Sequence, residues 1–102
     1  MTNYTSGRRY EYKIIEYLKD YYCVRAAGSH TKFDIVAFRI VDGTEEPLVR
    51  AIQSKSGKKP IITSGEYGEL KRLAKVLPKV ISVELWLWTK GKTTPKIVRI
   101  EG

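Results

Sequence analysis

An α/β fold with the element order α-β-β-β-α-β-β is predicted by three features of the 102-residue chain. Two stretches carry apolar residues at helical spacing, five short runs are rich in Val, Ile and aromatic residues, and turn residues separate them. A chain of this length makes one domain, residues 1–102. Hydrophobic residues are 42% of it and aromatic residues 11%, enough for a real core and too much for a disordered segment.

The first helix is expected from Ser6 to about Tyr21, where Tyr10, Ile14, Tyr17, Leu18 and Tyr21 recur at helical spacing and no Gly or Pro follows Gly7. Strands are expected at 22–25, at 33–40 ("FDIVAFRI") and at 47–55 ("PLVRAIQSK"), with "VDGTEE" turning between the last two. Thr63 and Glu66 have capping-box spacing, and the apolar stripe Leu70, Leu73, Ala74 and Leu77 stops at Pro78, which defines a second helix. "VISVELWLWT" and "PKIVRI" close the chain as two strands around the turn "KGKTT". In "LWLWT" the two Leu face one way and the two Trp the other, so both faces of that strand are expected to be covered.

Nineteen Lys and Arg against eleven Asp and Glu give a net charge of +8, which favours a polyanionic partner. Nucleic acid leads, with a membrane surface or an acidic protein second. A single Cys and a single His exclude an internal disulfide and a Cys/His zinc site, and an intracellular, reducing compartment is the expectation. Cys23 is expected to be a small core residue. No run approaches the roughly 18 apolar residues of a membrane span, and no signal-like apolar segment opens the chain.

Four residues do not fit a bland reading. With Tyr10 at zero on a helical wheel, Leu18 falls near 80°, Glu11 near 100° and Ile15 near 140°, at about 100° per residue. Glu11 therefore lies inside the apolar arc, where a carboxylate needs a pairing partner such as Arg8 or Arg25, or a metal. Asp34 interrupts the apolar strand "FDIVAF". A hairpin turning between Gly43 and Thr44 sets Asp34 opposite Gln53, and a shift of the turn sets it opposite Ala51, diagonal to Gln53. In either register Lys55 joins the same face two residues on. An Asp and an amide oxygen can hold a hard cation such as Mg²⁺, and a nearby Lys can stabilise charge developing on phosphate. That is phosphodiester hydrolysis chemistry.

The order Glu11, "RAAGS" at 25–29, "FDIVAF" at 33–38 and "IQSKS" at 52–56 resembles the PD-(D/E)xK nuclease superfamily, and within it the archaeal-type Holliday junction resolvases. The resemblance spans residues 7 to about 77. It implies a restriction-endonuclease-like mixed central sheet flanked by helices, and a metal-dependent endodeoxyribonuclease that cleaves four-way DNA junctions. It implies Glu11, Asp34 and Gln53 as metal ligands for Mg²⁺, with Mn²⁺ able to substitute, and Lys55 as the catalytic lysine. Ser29, in the "GS" loop, supports catalysis or touches DNA in this reading. DNA contacts are expected for Arg8, Arg9, Arg25, Lys32, Lys58 and Lys59, and His30, beside Ser29, is either a further DNA contact or a solvated histidine. A homodimer presenting two sites to a near two-fold substrate is implied as well, with one of Trp86 and Trp88 either in its interface or in an ordinary core.

The chain departs from the resolvase pattern at Gln53, where Glu is the family residue. Loss of that charge weakens Mg²⁺ binding. Two further readings follow: an Mrr-like endonuclease of duplex DNA, which resembles this chain in its Q-x-K, and a junction-binding protein impaired in catalysis.

Overall fold

The computed structural model describes residues 3–26 and 32–101, with side chains from residue 9 onward within those ranges. Its elements are α1 (Asn3–Tyr17), β1 (Tyr21–Arg25), β2 (Ile35–Arg39), β3 (Val49–Gly57), α2 (Ser64–Val76), β4 (Ile81–Thr89) and β5 (Lys96–Arg99). The five strands form one mixed sheet in the order β1-β2-β3-β4-β5. Pairing is antiparallel between β1 and β2, β2 and β3, and β4 and β5, and parallel between β3 and β4. A parallel pair needs a crossover, and α2 supplies it.

Each helix covers one face of the sheet. Under α1 lie Ile14, Leu18, Tyr21, Ile35, Ile52, Trp86 and Trp88. Against α2 lie Leu70, Val83, Leu85 and Ile100, flanked by Leu77 and Leu87. The alternation of "LWLWT" is therefore realised, with Leu on the α2 side and Trp on the α1 side. Trp86 is fully buried and Trp88 2% exposed, and both belong to the protomer's own core. Of the two readings of these Trp residues, the ordinary core is the one realised. Cys23 is half-buried against the same core, which pushes its thiol up from the ordinary value.

α2 begins as expected: Thr63 Oγ1 accepts from the Glu66 N–H at 3.1 Å and the Glu66 carboxylate accepts from the Thr63 N–H at 3.1 Å. α1 differs, ending at Tyr17 and not near Tyr21. Lys19 and Asp20 form a turn, and Tyr21 opens β1. Tyr21 is buried beside Leu18 because β1 folds back beneath the helix, and its hydroxyl donates to the Pro47 carbonyl at 2.5 Å. Its helical spacing is a coincidence of two elements sharing one core. β2 starts two residues later than expected because Phe33 leaves the ladder to pack on the α2 side.

β1 and β2 extend beyond what α2 covers. Tyr22, Val24 and Phe38, on the face opposite the α1 core, are 64%, 43% and 43% exposed, with Tyr22 paired to Phe38 and Val24 to Val36. Among the described residues no helix is long and apolar enough to cross a membrane.

Candidate functional site

The β2–β3 pairing runs from Ile35↔Ile52 to Phe38↔Val49, the first of the two registers expected. Asp34 follows at the end of the ladder, where its N–H donates to the Ile52 carbonyl at 2.8 Å. Its carboxylate Oδ2 accepts the Ser54 N–H at 2.8 Å. The Asp34 side chain is thereby fixed against the stretch of β3 that carries Gln53 and Lys55. β3 places those two on the α2 face, one step of the strand alternation apart.

Gln53 is buried at 9% exposure, and its side-chain oxygen Oε1 has no hydrogen-bond donor among the described residues. A buried carbonyl left without a donor costs about 1–3 kcal/mol. Asp34 is also largely withdrawn from water. Burial pushes its carboxyl up from the ordinary value, and the negative charge of Glu11 adds to the rise, while the Ser54 N–H and the Lys55 charge oppose it. Glu11, from α1, and Lys55, from β3, therefore both act on Asp34 through space.

Glu11 Oε1 accepts from Arg25 Nε at 2.8 Å, which realises the pairing expected of a carboxylate in the apolar arc. The guanidinium of Arg25 also lies 5.3 Å from the centre of the Tyr12 ring. Arg25 is thus held by Glu11 and Tyr12. Of the other cations expected to meet DNA, Arg9, Lys32, Lys58 and Lys59 are exposed. Ser29 and His30 lie outside the described residues, as does the side chain of Arg8.

A residue that sequence reasoning assigned only to a helix cap joins the site. Glu66 Oε2 accepts from Lys55 Nζ at 2.7 Å, while Oε1 serves the capping box. The Lys55 hydrogen bond, with help from the Thr63 N–H, holds the Glu66 carboxyl down at about 2. A folded-state value below the unfolded one means that the stabilisation is full above the unfolded value and is lost as pH falls through the folded one. Glu66→Gln keeps a capping-box acceptor and removes the charge, so it should melt lower than the parent at pH 7. Thermal melts across an acid series should show the gap closing from about 4.5 toward about 2. The capping-box spacing was the visible signal of Glu66; its reach to Lys55 depends on α2 returning over the end of β3.

Asp34, Gln53 and Lys55 thus share one end of the β2–β3 ladder, with Glu66 bonded to Lys55 and the charge of Glu11 felt at Asp34. Among the described residues no group of three or more His, Cys, Asp or Glu side chains is gathered for a metal; the candidate donors are Asp34, Glu11 and the Gln53 oxygen. These are hard oxygen donors, and the buried, donor-less Oε1 of Gln53 is the atom that a cation would satisfy. The residues fit a hard divalent cation that keeps several of its waters.

A second charged cluster lies on the α1 face. Arg50 Nη1 donates to both oxygens of Glu84 at 3.1 Å, and Arg50 also pairs with Glu46. Trp86 Nε1 donates to Glu84 Oε1 at 2.9 Å, and Arg50 stacks on Tyr21 at 5.0 Å. Glu84 is 2% exposed, so this cluster is structural.

Comparison of the chain with protein-family models, with curated proteins and with solved structures returns no significant match.

Proposed function

We propose that the protein is a metal-dependent endodeoxyribonuclease of the PD-(D/E)xK type that cleaves branched DNA, a Holliday junction resolvase in its reaction. One observation carries the reading: the oxygen of buried Gln53, without a donor among the described residues, stands on the same strand face as Lys55, with Asp34 fastened to the backbone between them. The mixed sheet with a helix on each face is the framework that such a nuclease uses.

In this reading Asp34, Gln53 Oε1 and Glu11 hold Mg²⁺ or Mn²⁺. The cation supplies Lewis-acid stabilisation of the phosphoryl oxygens and a more acidic water. The chain's own part is orientation and charge. Ser54 N–H fixes the Asp34 carboxylate, Arg25 fixes that of Glu11, and Glu66 holds the Lys55 ammonium in place beside the phosphate. Lys55 then offsets the negative charge that grows as water attacks in line. A homodimer belongs to the same reading, and the exposed apolar face of Tyr22, Val24 and Phe38 supports it.

A second reading has its own observations. A neutral Gln at the ligand position, and a Lys55 already paired with a carboxylate, both suit a protein that binds junctions without cutting them. Gln53→Glu separates the two. It adds a third carboxylate, so a nuclease should reach half-maximal cutting at lower Mg²⁺, by about tenfold for each 1.4 kcal/mol gained. The same variant should melt lower without metal, since three buried carboxylates repel. The binding-only reading is favoured if the parent binds junctions but cuts none, and cutting appears only in Gln53→Glu. A linear duplex of the same sequence run alongside tests the substrate; equal cleavage of both moves the reading to a duplex endonuclease.

A further inference from the structure

Beyond the candidate centre the α1 face carries a basic groove. Its walls are Arg9 and Lys13 from α1 and Lys90 and Lys92 from the β4–β5 turn, and its floor is Ser56 and Gly57 at the end of β3. The cavity is about 650 Å³. Among the described residues no carboxylate lines it, and none of these four cations is paired with one. Four unpaired positive charges facing one concave wall focus the field into it.

The groove is built to stay open. The Lys90 N–H donates to the Gly57 carbonyl at 2.8 Å, which fastens the turn to the end of β3. Gly57 and Gly91 have φ of 141° and 89°, a region that L side chains avoid, and no atom lies within 4 Å of where a Cβ would stand. The backbone is therefore bare where a ligand would approach. Arg9 and Lys13 are one helical turn apart on the same side of α1. Lys13 lies 5.0 Å from the Tyr10 ring centre and 5.8 Å from that of Trp88, which holds its ammonium over the wall. Lys13 and Lys92 also line the adjoining cavity with Glu16 and with Trp88, which is 2% exposed and has an indole N–H without an acceptor among the described residues.

We propose that this groove binds the sugar-phosphate backbone of the DNA segment that leaves the candidate centre. The floor is continuous with the centre in the chain: Ser56 and Gly57 directly follow Lys55 on β3, and Arg9 lies two residues before Glu11. Lys55 faces α2 and the groove faces α1 at the same end of β3, so in this proposal a strand reaches the four cations by crossing the end of β3. The proposal rests on DNA being the partner and not on whether the centre cuts it.

Lys90→Gln with Lys92→Gln removes half of the cations from an exposed turn, and a thermal melt checks that the fold survives. Binding of a fluorescent four-way junction is titrated by anisotropy across a salt series. A control pair, Lys75→Gln with Lys79→Gln, removes the same charge from the α2 side. The groove pair should bind at least tenfold more weakly at low salt, with a log–log salt slope shallower by about 2, near 0.9 for each lost phosphate contact. The control pair should stay near the parent. Equal affinity and slope in the parent and the groove pair overturn the groove and leave the nuclease reading standing. Equal losses in both pairs also overturn it, since they report net charge alone. A parent that binds no DNA overturns both. If the groove pair loses binding only to vesicles of anionic phospholipid, with its DNA isotherm unchanged, the proposal is overturned in favour of a membrane surface.

Discussion

Asp34→Asn should lose about 10²–10³-fold in the rate of junction cleavage, several kcal/mol of phosphate stabilisation at 1.36 kcal/mol per tenfold, and should melt at a higher temperature than the parent. Both effects come from one charge. The Asn side chain keeps an oxygen to accept the Ser54 N–H, so the local backbone is preserved. It removes a negative charge that burial disfavours and that Glu11 repels, and these are the causes that push the Asp34 carboxyl up. A carboxyl raised by folding destabilises the native state wherever it is ionised, so the parent gains stability as pH falls through the raised value and the variant does not. Cleavage rates with thermal melts at pH 7 and in mild acid check the pair of effects. Loss of both activity and stability would mean that Asp34 serves the fold instead.

Glu84→Ala should be the most damaging single substitution for stability, at about 3–5 kcal/mol, the range for removing one partner of a buried ion pair. Against a total of about 5–15 kcal/mol for a typical domain, that lowers the melting temperature by on the order of 15 °C or more. The loss is large because one carboxylate serves several groups. Without it Arg50, with a side chain 13% exposed, keeps only Glu46 and the Tyr21 ring, and the Trp86 indole N–H loses its acceptor. Glu84→Leu combined with Arg50→Met should melt well above Glu84→Ala, because removing both charges leaves no unpaired ion in the core. Chemical denaturation of the three proteins measures the comparison.

The difference between the two clusters shows what could be read from the sequence. Asp34, Gln53 and Lys55 were legible because a hairpin turn and a two-residue alternation fix a register locally, and the structure has that register. The Thr63–Glu66 cap and the two-faced "LWLWT" strand were legible for the same reason, since both are patterns of spacing within one element. Glu66 as the partner of Lys55 was not, because the contact needs the path of the whole β3–α2 connection. Arg50 and Glu84 stand 34 residues apart on strands joined in parallel, and no local rule pairs them. Tyr21 shows the opposite failure: a spacing that suits a helix was produced by a strand returning to the same core.

The Gln53 oxygen holds a similar lesson. The sequence shows an amide where a charge is expected in the resolvase pattern; only the fold shows that the amide oxygen is buried beside Asp34 without a donor among the described residues. On the proposed reading burial would make a weak ligand worth more, since the alternative is an unsatisfied carbonyl.

The most direct measurement is cleavage of a synthetic four-way junction by the parent and by Asp34→Asn, in Mg²⁺, in Mn²⁺ and in EDTA. The account predicts cutting by the parent in either metal, none in EDTA, and at least a hundredfold slower cutting by the variant. An intact junction with the parent in both metals, or a variant that cuts as fast as the parent, would contradict it.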